Sequence, residues 1–121
     1  MIDGSNAEMD APPRSKGVDM FRHQLHAQVR IGQYRDYYNL YEKLDQLVRA
    51  KKLVSAQLWA VSLGPLNNAV LVTDYESIEA YDRNLKAFVN DPDLMSVWRE
   101  MGKLVDGTPW DELWESAFQI A

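Results

Sequence analysis

Cysteine is absent from this chain of 121 residues. That one absence removes disulfides, thiolate nucleophiles, zinc clusters and iron–sulfur ligation together. Histidine is scarce: His23 and His26 are the only two. No apolar run approaches the roughly 18 residues that a membrane-spanning helix requires, so a membrane is not an expected partner. There is no phosphate-cradling glycine loop, no nucleophile elbow and no recognisable catalytic triad. Positive charge is in the minority, with 13 Lys and Arg against 18 Asp and Glu and a net charge of −5. Without a basic stripe to displace condensed counterions, nucleic acid is not an expected partner either. What remains is an ordinary globular composition, 46% hydrophobic and 26% charged, of a size for one domain. The stretch MIDGSNAEMDAPPRSKGVD has no apolar signal core and carries acids, so residues 1–19 read as a flexible leader. The folded domain is expected over residues 20–121, in the cytoplasm.

Against these absences, residues 56–77 (AQLWAVSLGPLNNAVLVTDYES) carry the strongest signal. Two β-type runs flank the turn-forming Gly64, Pro65, Leu66, Asn67 and Asn68, and both runs are apolar on consecutive positions. Leu58, Trp59 and Val61, then Val70, Leu71 and Val72, put large side chains on both faces of a sheet. The helices that this length allows can cover one face. The second face needs another cover, and a second copy of the same sheet is the simplest one.

The rest of the chain fits around that pair. Residues 21–29 alternate as a strand, with Phe21, His23, Leu25, Ala27 and Val29 on one face and Arg22, Gln24, His26 and Gln28 on the other. Gly32 ends it, and a helix follows over about 33–51 with Tyr34, Tyr37, Tyr38, Tyr41, Leu44, Leu47 and Val48 at helical spacing. Strands are expected over about 54–63 and 68–75. Ser77 caps a second helix bearing Ile78, Tyr81, Leu85, Phe88 and Val89, and Asp91-Pro92 restarts it toward Gly107. The tail is ambiguous. Trp110, Leu113, Trp114 and Phe118 suit a helix face, whereas Trp114, Ser116, Phe118 and Ile120 alternate as a strand. The preceding β-α-β-β-α order favours a short helical turn at 109–112 leading into a last strand. That strand would complete a four-stranded antiparallel sheet with the helices on one face, an α+β βαββαβ sandwich.

Val29-Arg30-Ile31-Gly32 before a helix, Gly64-Pro65-Leu66-Asn67 leading into a strand that ends Tyr75-Glu76-Ser77, and Glu112-Leu113-Trp114 after Gly107 resemble NIPSNAP-like proteins. The resemblance spans about residues 20–120 and implies the ferredoxin-like fold of the dimeric α+β barrel superfamily, in which two sheets face each other across a homodimer and enclose a cavity. That family's first strand typically carries an acid and an arginine at alternate positions; here His23 and Leu25 stand nearest to them. The superfamily includes cofactor-independent monooxygenases, isomerases, polyketide cyclases and haem-binding relatives, so the fold does not decide the activity. No cofactor is expected from these residues, with haem left open by the relatives.

By that topology the face carrying Arg22 and His26 looks into the barrel. His26 is the candidate general base for an enolisable or aromatic substrate, set against the plainer role of an interface residue. Arg22 and Asp74 share its parity and could meet across neighbouring strands to orient an anion. Trp59, Val70 and Val72 are the candidate walls for a small apolar or aromatic ligand, or else dimer packing. His23 points with Phe21 and Leu25 and reads as a satisfied core histidine. An odd spacing on a strand sends the two histidines to opposite faces, so no metal site is expected from the pair. Asp111, Glu112 and Glu115 read as a solvated acidic group.

Overall fold

The computed structural model describes residues 20–61 and 67–116, in the order β1 (Phe21–Val29), α1 (Tyr34–Ala50), β2 (Gln57–Ala60), β3 (Asn68–Tyr75), α2 (Ile78–Val89), α3 (Pro92–Gly102) and β4 (Val105–Glu115). The strands form one antiparallel sheet in the order β2-β3-β1-β4, with the two central strands contributed by opposite halves of the chain. This is the ferredoxin-like βαββαβ arrangement, with the second crossover split into two helices. None of the described helices is long and apolar enough to cross a membrane.

Each helix start has a chemical cause. Ser77 Oγ accepts from the Ala80 N–H at 3.0 Å, satisfying one of the free amides at the beginning of α2. Asp91 does the same for α3, accepting from the N–H groups of Asp93 and Leu94 at 3.0 and 3.1 Å, while Pro92 takes the position where no N–H is needed. The other oxygen of Asp91 lies 2.8 Å from Lys51 Nζ, just past the end of α1. Lys51 and the Leu94 N–H hold the Asp91 carboxyl below its usual range, so one side chain both starts α3 and ties it to α1.

The core sits between α1, α3 and the middle of the sheet. Tyr37, Leu44 and Val48 of α1 meet Leu94, Val97 and Met101 of α3 over Val29, Ala69 and Leu71 of the central strands. The small buried Ala27 and Ala69, paired with each other across β1 and β3, leave room for the helices packed on the sheet. Burial pushes the Tyr37 phenol up to about 12, so it stays neutral in this core. Helix α2 differs from its neighbours, because none of its residues is buried.

Three expectations are corrected. The segment 109–112 is not a helical turn but part of the continuous strand β4, and the helix ahead of it stops at Gly102 rather than Gly107. The extended course of 109–112 goes with a bulge. His26 pairs with Trp110 and Gln28 with Asp106, so the three residues 107–109 stand opposite Ala27 alone, two more than a regular ladder holds. Gly107 adopts φ +69°, which a side chain would strain, and Pro109, lacking an N–H, is tolerated where the ladder is interrupted. The second strand is also shorter than expected, Gln57–Ala60. The turn around Gly64 and the possible strand positions Phe118 and Ile120 lie outside the described residues.

Leu94 is 0% exposed at the α1–α3 contact. Leu94→Ala is expected to lower the unfolding free energy by about 3 kcal/mol, measured by urea denaturation.

Candidate functional site

The sheet has two chemically distinct faces. On the helix side, the core closes the space between α1, α3 and the central strands, but α2 stands off from the sheet. A cavity of about 450 Å³ occupies the gap. Its apolar wall comes from Leu25, Leu44, Val48, Leu71, Phe88, Met95 and Trp98, and its polar end from His23, Thr73, Tyr75, Tyr81, Asn84 and Asp111. The apolar stripe of α2, which the sequence marks as a packing face, turns into this space and stays partly bare: Leu85 is 42% and Val89 48% exposed.

Two polar struts hold the cavity open. Asn84 of α2 donates through Nδ2 to the Tyr75 hydroxyl at 3.0 Å and accepts the Val54 N–H through Oδ1 at 2.9 Å. It fastens α2 to β3 and to the segment before β2 without bringing the helix down onto the sheet. Tyr41 donates its hydroxyl hydrogen to the Ala56 carbonyl at 2.6 Å, which fixes its ring as part of the wall. Burial raises the Tyr41 and Tyr75 phenols, keeping both neutral.

His23 is the ionisable group of the polar end with a partner of opposite type. Its Nε2 lies 3.1 Å from Asp111 Oδ1, and its ring sits against Tyr81 at 5.5 Å between centroids. The other histidine has a matching arrangement on the opposite face. His26 Nε2 is 3.1 Å from Gln24 Oε1 and 3.5 Å from Glu112 Oε1, and its ring stacks on Trp110 at 4.7 Å with an interplanar angle of 4°. Glu112 also accepts from the indole N–H groups of Trp110 and Trp114, at 3.3 and 3.1 Å. His26 Nδ1 is buried and has no hydrogen-bond partner among the described residues.

The two pairs share one origin in the register. His23 stands opposite Leu113 and His26 opposite Trp110, so Asp111 and Glu112 are their diagonal neighbours on the adjacent strand. Adjacent acids on β4 point to opposite faces, and each meets one of the histidines of β1. The sequence contains both halves of this pattern. It was hidden because 109–112 read as a turn, which removes the alternation that assigns Asp111 to one face and Glu112 to the other.

None of the six residues singled out from the sequence lines the sheet–helix cavity. Arg22, His26, Trp59, Val70, Val72 and Asp74 share the open face instead. Arg22 and Asp74 do meet, through two parallel bonds of 2.8 and 3.0 Å. The pair is about half exposed on each side, where such contacts contribute under about 1 kcal/mol, and each charge already has its partner. Trp59 is 59% exposed, and with Trp110 at 49% and Trp114 at 57% it makes this face unusually aromatic for a surface. His23, passed over as a core residue, is the histidine that reaches the cavity. Among the described residues no group of three His, Asp or Glu is placed to hold a metal ion.

Asn84→Ala removes the donor to Tyr75 and leaves the Val54 N–H without its acceptor. It is expected to cost about 1 kcal/mol and to speed amide hydrogen exchange in α2 while sparing α3, read by exchange mass spectrometry.

The family model NIPSNAP matches residues 27–108. No curated protein matches the chain. Among solved structures, a NIPSNAP family protein from Agrobacterium tumefaciens str. C58 superposes with a TM-score of 0.70 at 14% identity, covering 81% of this chain and 86% of that one. A NIPSNAP-like domain protein from Burkholderia xenovorans gives 0.68 at 16%, covering 84% and 90%. A protein of Caulobacter crescentus CB15, named as a candidate antibiotic biosynthesis monooxygenase, gives 0.65 at 18%, covering 81% and 90%. At such identities the likeness is one of fold, and it agrees with the strand order found here. The family match runs from β1 into β4 and takes in more than half of the sequence: the chain belongs to the NIPSNAP family.

Proposed function

We propose that this chain is a cytoplasmic small-molecule-binding protein that holds a flat apolar or aromatic ligand in the cavity between its sheet and its helices, and that it does so as a homodimer joined through the open face. The observation that carries the binding reading is the state of α2. A helix with an apolar stripe and no buried residue is a poor arrangement unless something else covers the stripe. The cavity of about 450 Å³ is of the size that small-molecule sites have, and it combines an apolar wall with a few polar groups at one end. A cysteine-free chain suits a reducing compartment.

The open face supports the homodimer. Trp59, Trp110 and Trp114 are exposed beside Val70 and Val72 on the same face. A second copy would cover the indoles. Arg22 and Asp74 would then stand at the rim of the joint, and a further cavity between the two sheets, lined by His26, Trp59, Val70 and Val72, belongs to this reading. The second functional reading is an enzyme of the cofactor-independent monooxygenase, isomerase or cyclase kind. Its support is the name carried by the Caulobacter neighbour and the histidine–carboxylate pair at the polar end of the cavity.

Two measurements test these statements. Trp98 is the tryptophan that lines the cavity, so titration with a small bicyclic aromatic such as 2-naphthol should change protein fluorescence, and Trp98→Phe should remove that change. Val54 lines the cavity and is 42% exposed, so Val54→Trp should narrow it with little effect on folding and weaken binding at least about tenfold. Binding that is unaltered in Val54→Trp would move the ligand elsewhere. In light scattering coupled to gel filtration the wild type is expected at twice the chain mass, and Trp59→Asp as monomer or aggregate; an intact dimer in that variant would exclude the open face as the joint.

A further inference from the structure

The polar end of the cavity contains a hydrogen-bond arrangement that ligand packing alone does not need. Asp111, as a carboxylate, can only accept, so the hydrogen of its 3.1 Å contact with His23 is carried by Nε2. In the neutral ring the lone pair then belongs to Nδ1. No described side chain bonds to that nitrogen, and unlike His26 Nδ1 it is not sealed from contact. The Tyr81 ring against the imidazole limits its rotation. The side chain of His23 is 20% exposed, whereas that of Asp111 is 65% exposed, so the acid holds the ring from the mouth while the ring reaches the chamber. An oriented imidazole with a fixed tautomer and a free lone pair, beside an apolar wall, is the physical description of a general base.

We propose that His23 is the base of a proton-transfer site acting on a neutral, flat carbon acid, a ketone of one or two rings with an acidic C–H beside its carbonyl, and that Asp111 is its positioning residue. The inference rests on the ligand reading above and gives that ligand its chemical class. In the step, His23 Nδ1 takes the proton as the C–H bond breaks, and the electron pair left on carbon delocalises onto the carbonyl oxygen as an enolate. Thr73 and Tyr75 bring hydroxyl groups to the same end of the cavity, where the developing negative charge requires donors. Asp111 stabilises the imidazolium formed. Where the ketone carries a β,γ double bond the enolate is a dienolate, and return of the same proton from His23 to its γ-carbon gives the conjugated isomer and restores the neutral ring, so atoms and electrons balance with no oxidant. Anionic substrates fit poorly, because the wall of Leu44, Val48, Phe88 and Trp98 does not solvate them and the Asp45 carboxylate shares the lining.

The test uses 2-tetralone, a neutral bicyclic ketone, with the full chain in deuterated buffer. Loss of its α-proton signals by NMR reads the base, and saturation transfer from protein to tetralone reads binding in the same tube. The expected result is saturable exchange above buffer. His23→Gln is expected to lower it about 100-fold with saturation transfer kept. Asp111→Asn, at an exposed position, is expected to lower the maximal rate while the half-saturating tetralone concentration stays the same, and Asp111→Glu to recover part of the rate. Saturation transfer without exchange above buffer would overturn the base and leave the binding cavity standing. Exchange that survives His23→Gln would place the base on another residue and overturn the proposal. Absence of saturation transfer at millimolar tetralone would overturn both the base and the ligand reading on which it rests.

Discussion

The contact between α1 and α3 over the two central strands is the constraint on which the rest of the molecule depends. Leu94, Val97 and Met101 fill the space left by Tyr37, Leu44 and Val48, and the small Ala27 and Ala69 of the sheet allow both helices to come down together. Asp91 reinforces the joint from outside, as cap of one helix and ion partner of the residue that ends the other. Once these two helices occupy the middle of the sheet, α2 cannot lie flat beside them. It is held at a distance by Asn84, and the cavity is the space that this distance creates. The cavity is therefore a by-product of where the dense packing ends.

The same sheet gives two histidines different environments. Both lie on β1, both have a carboxylate diagonally across on β4, and both contact an aromatic ring. What separates them is parity. His23 falls on the helix side, where its partner is exposed and one ring nitrogen is left free; His26 falls on the open side, stacked flat on Trp110 with a nitrogen enclosed. One strand thus supplies one histidine to a chamber and another to a surface, and a shift of one residue in register would exchange the two positions.

Much of the architecture was legible from residues alone, for identifiable reasons. The strand over 68–75 is recovered to its ends because a dense run of β-formers leads into Ser77, a strong helix cap. The break at Asp91-Pro92 was legible because cap chemistry is local. The reading failed where structure is decided across strands. Thr-Pro-Trp-Asp resembles a helix start, and only the bulge opposite Ala27 makes those residues extended. The site suffered from the same cause. Periodicity placed His26 among polar neighbours, yet a histidine on an apolar parity looks like core unless it is known that α2, touching His23 through Tyr81, leaves a cavity beside it. A stripe of apolar residues does not announce whether its partner is a sheet or a void.

The bulge in β4 has a consequence for how copies of this chain can meet. β4 lies at one margin of the sheet and is eleven residues long, enough to act as a template for sideways growth into a continuous ribbon. Gly107 and Pro109 interrupt its hydrogen-bonding line, and Asp106, Asp111, Glu112 and Glu115 load it with charge of one sign. The opposite margin, β2, is only four residues long. Both margins are thus poor seeds for aggregation, while the broad surface carrying the indoles is left unguarded. The margins thus disfavour open-ended, sideways growth, and any joint between copies falls to the broad face.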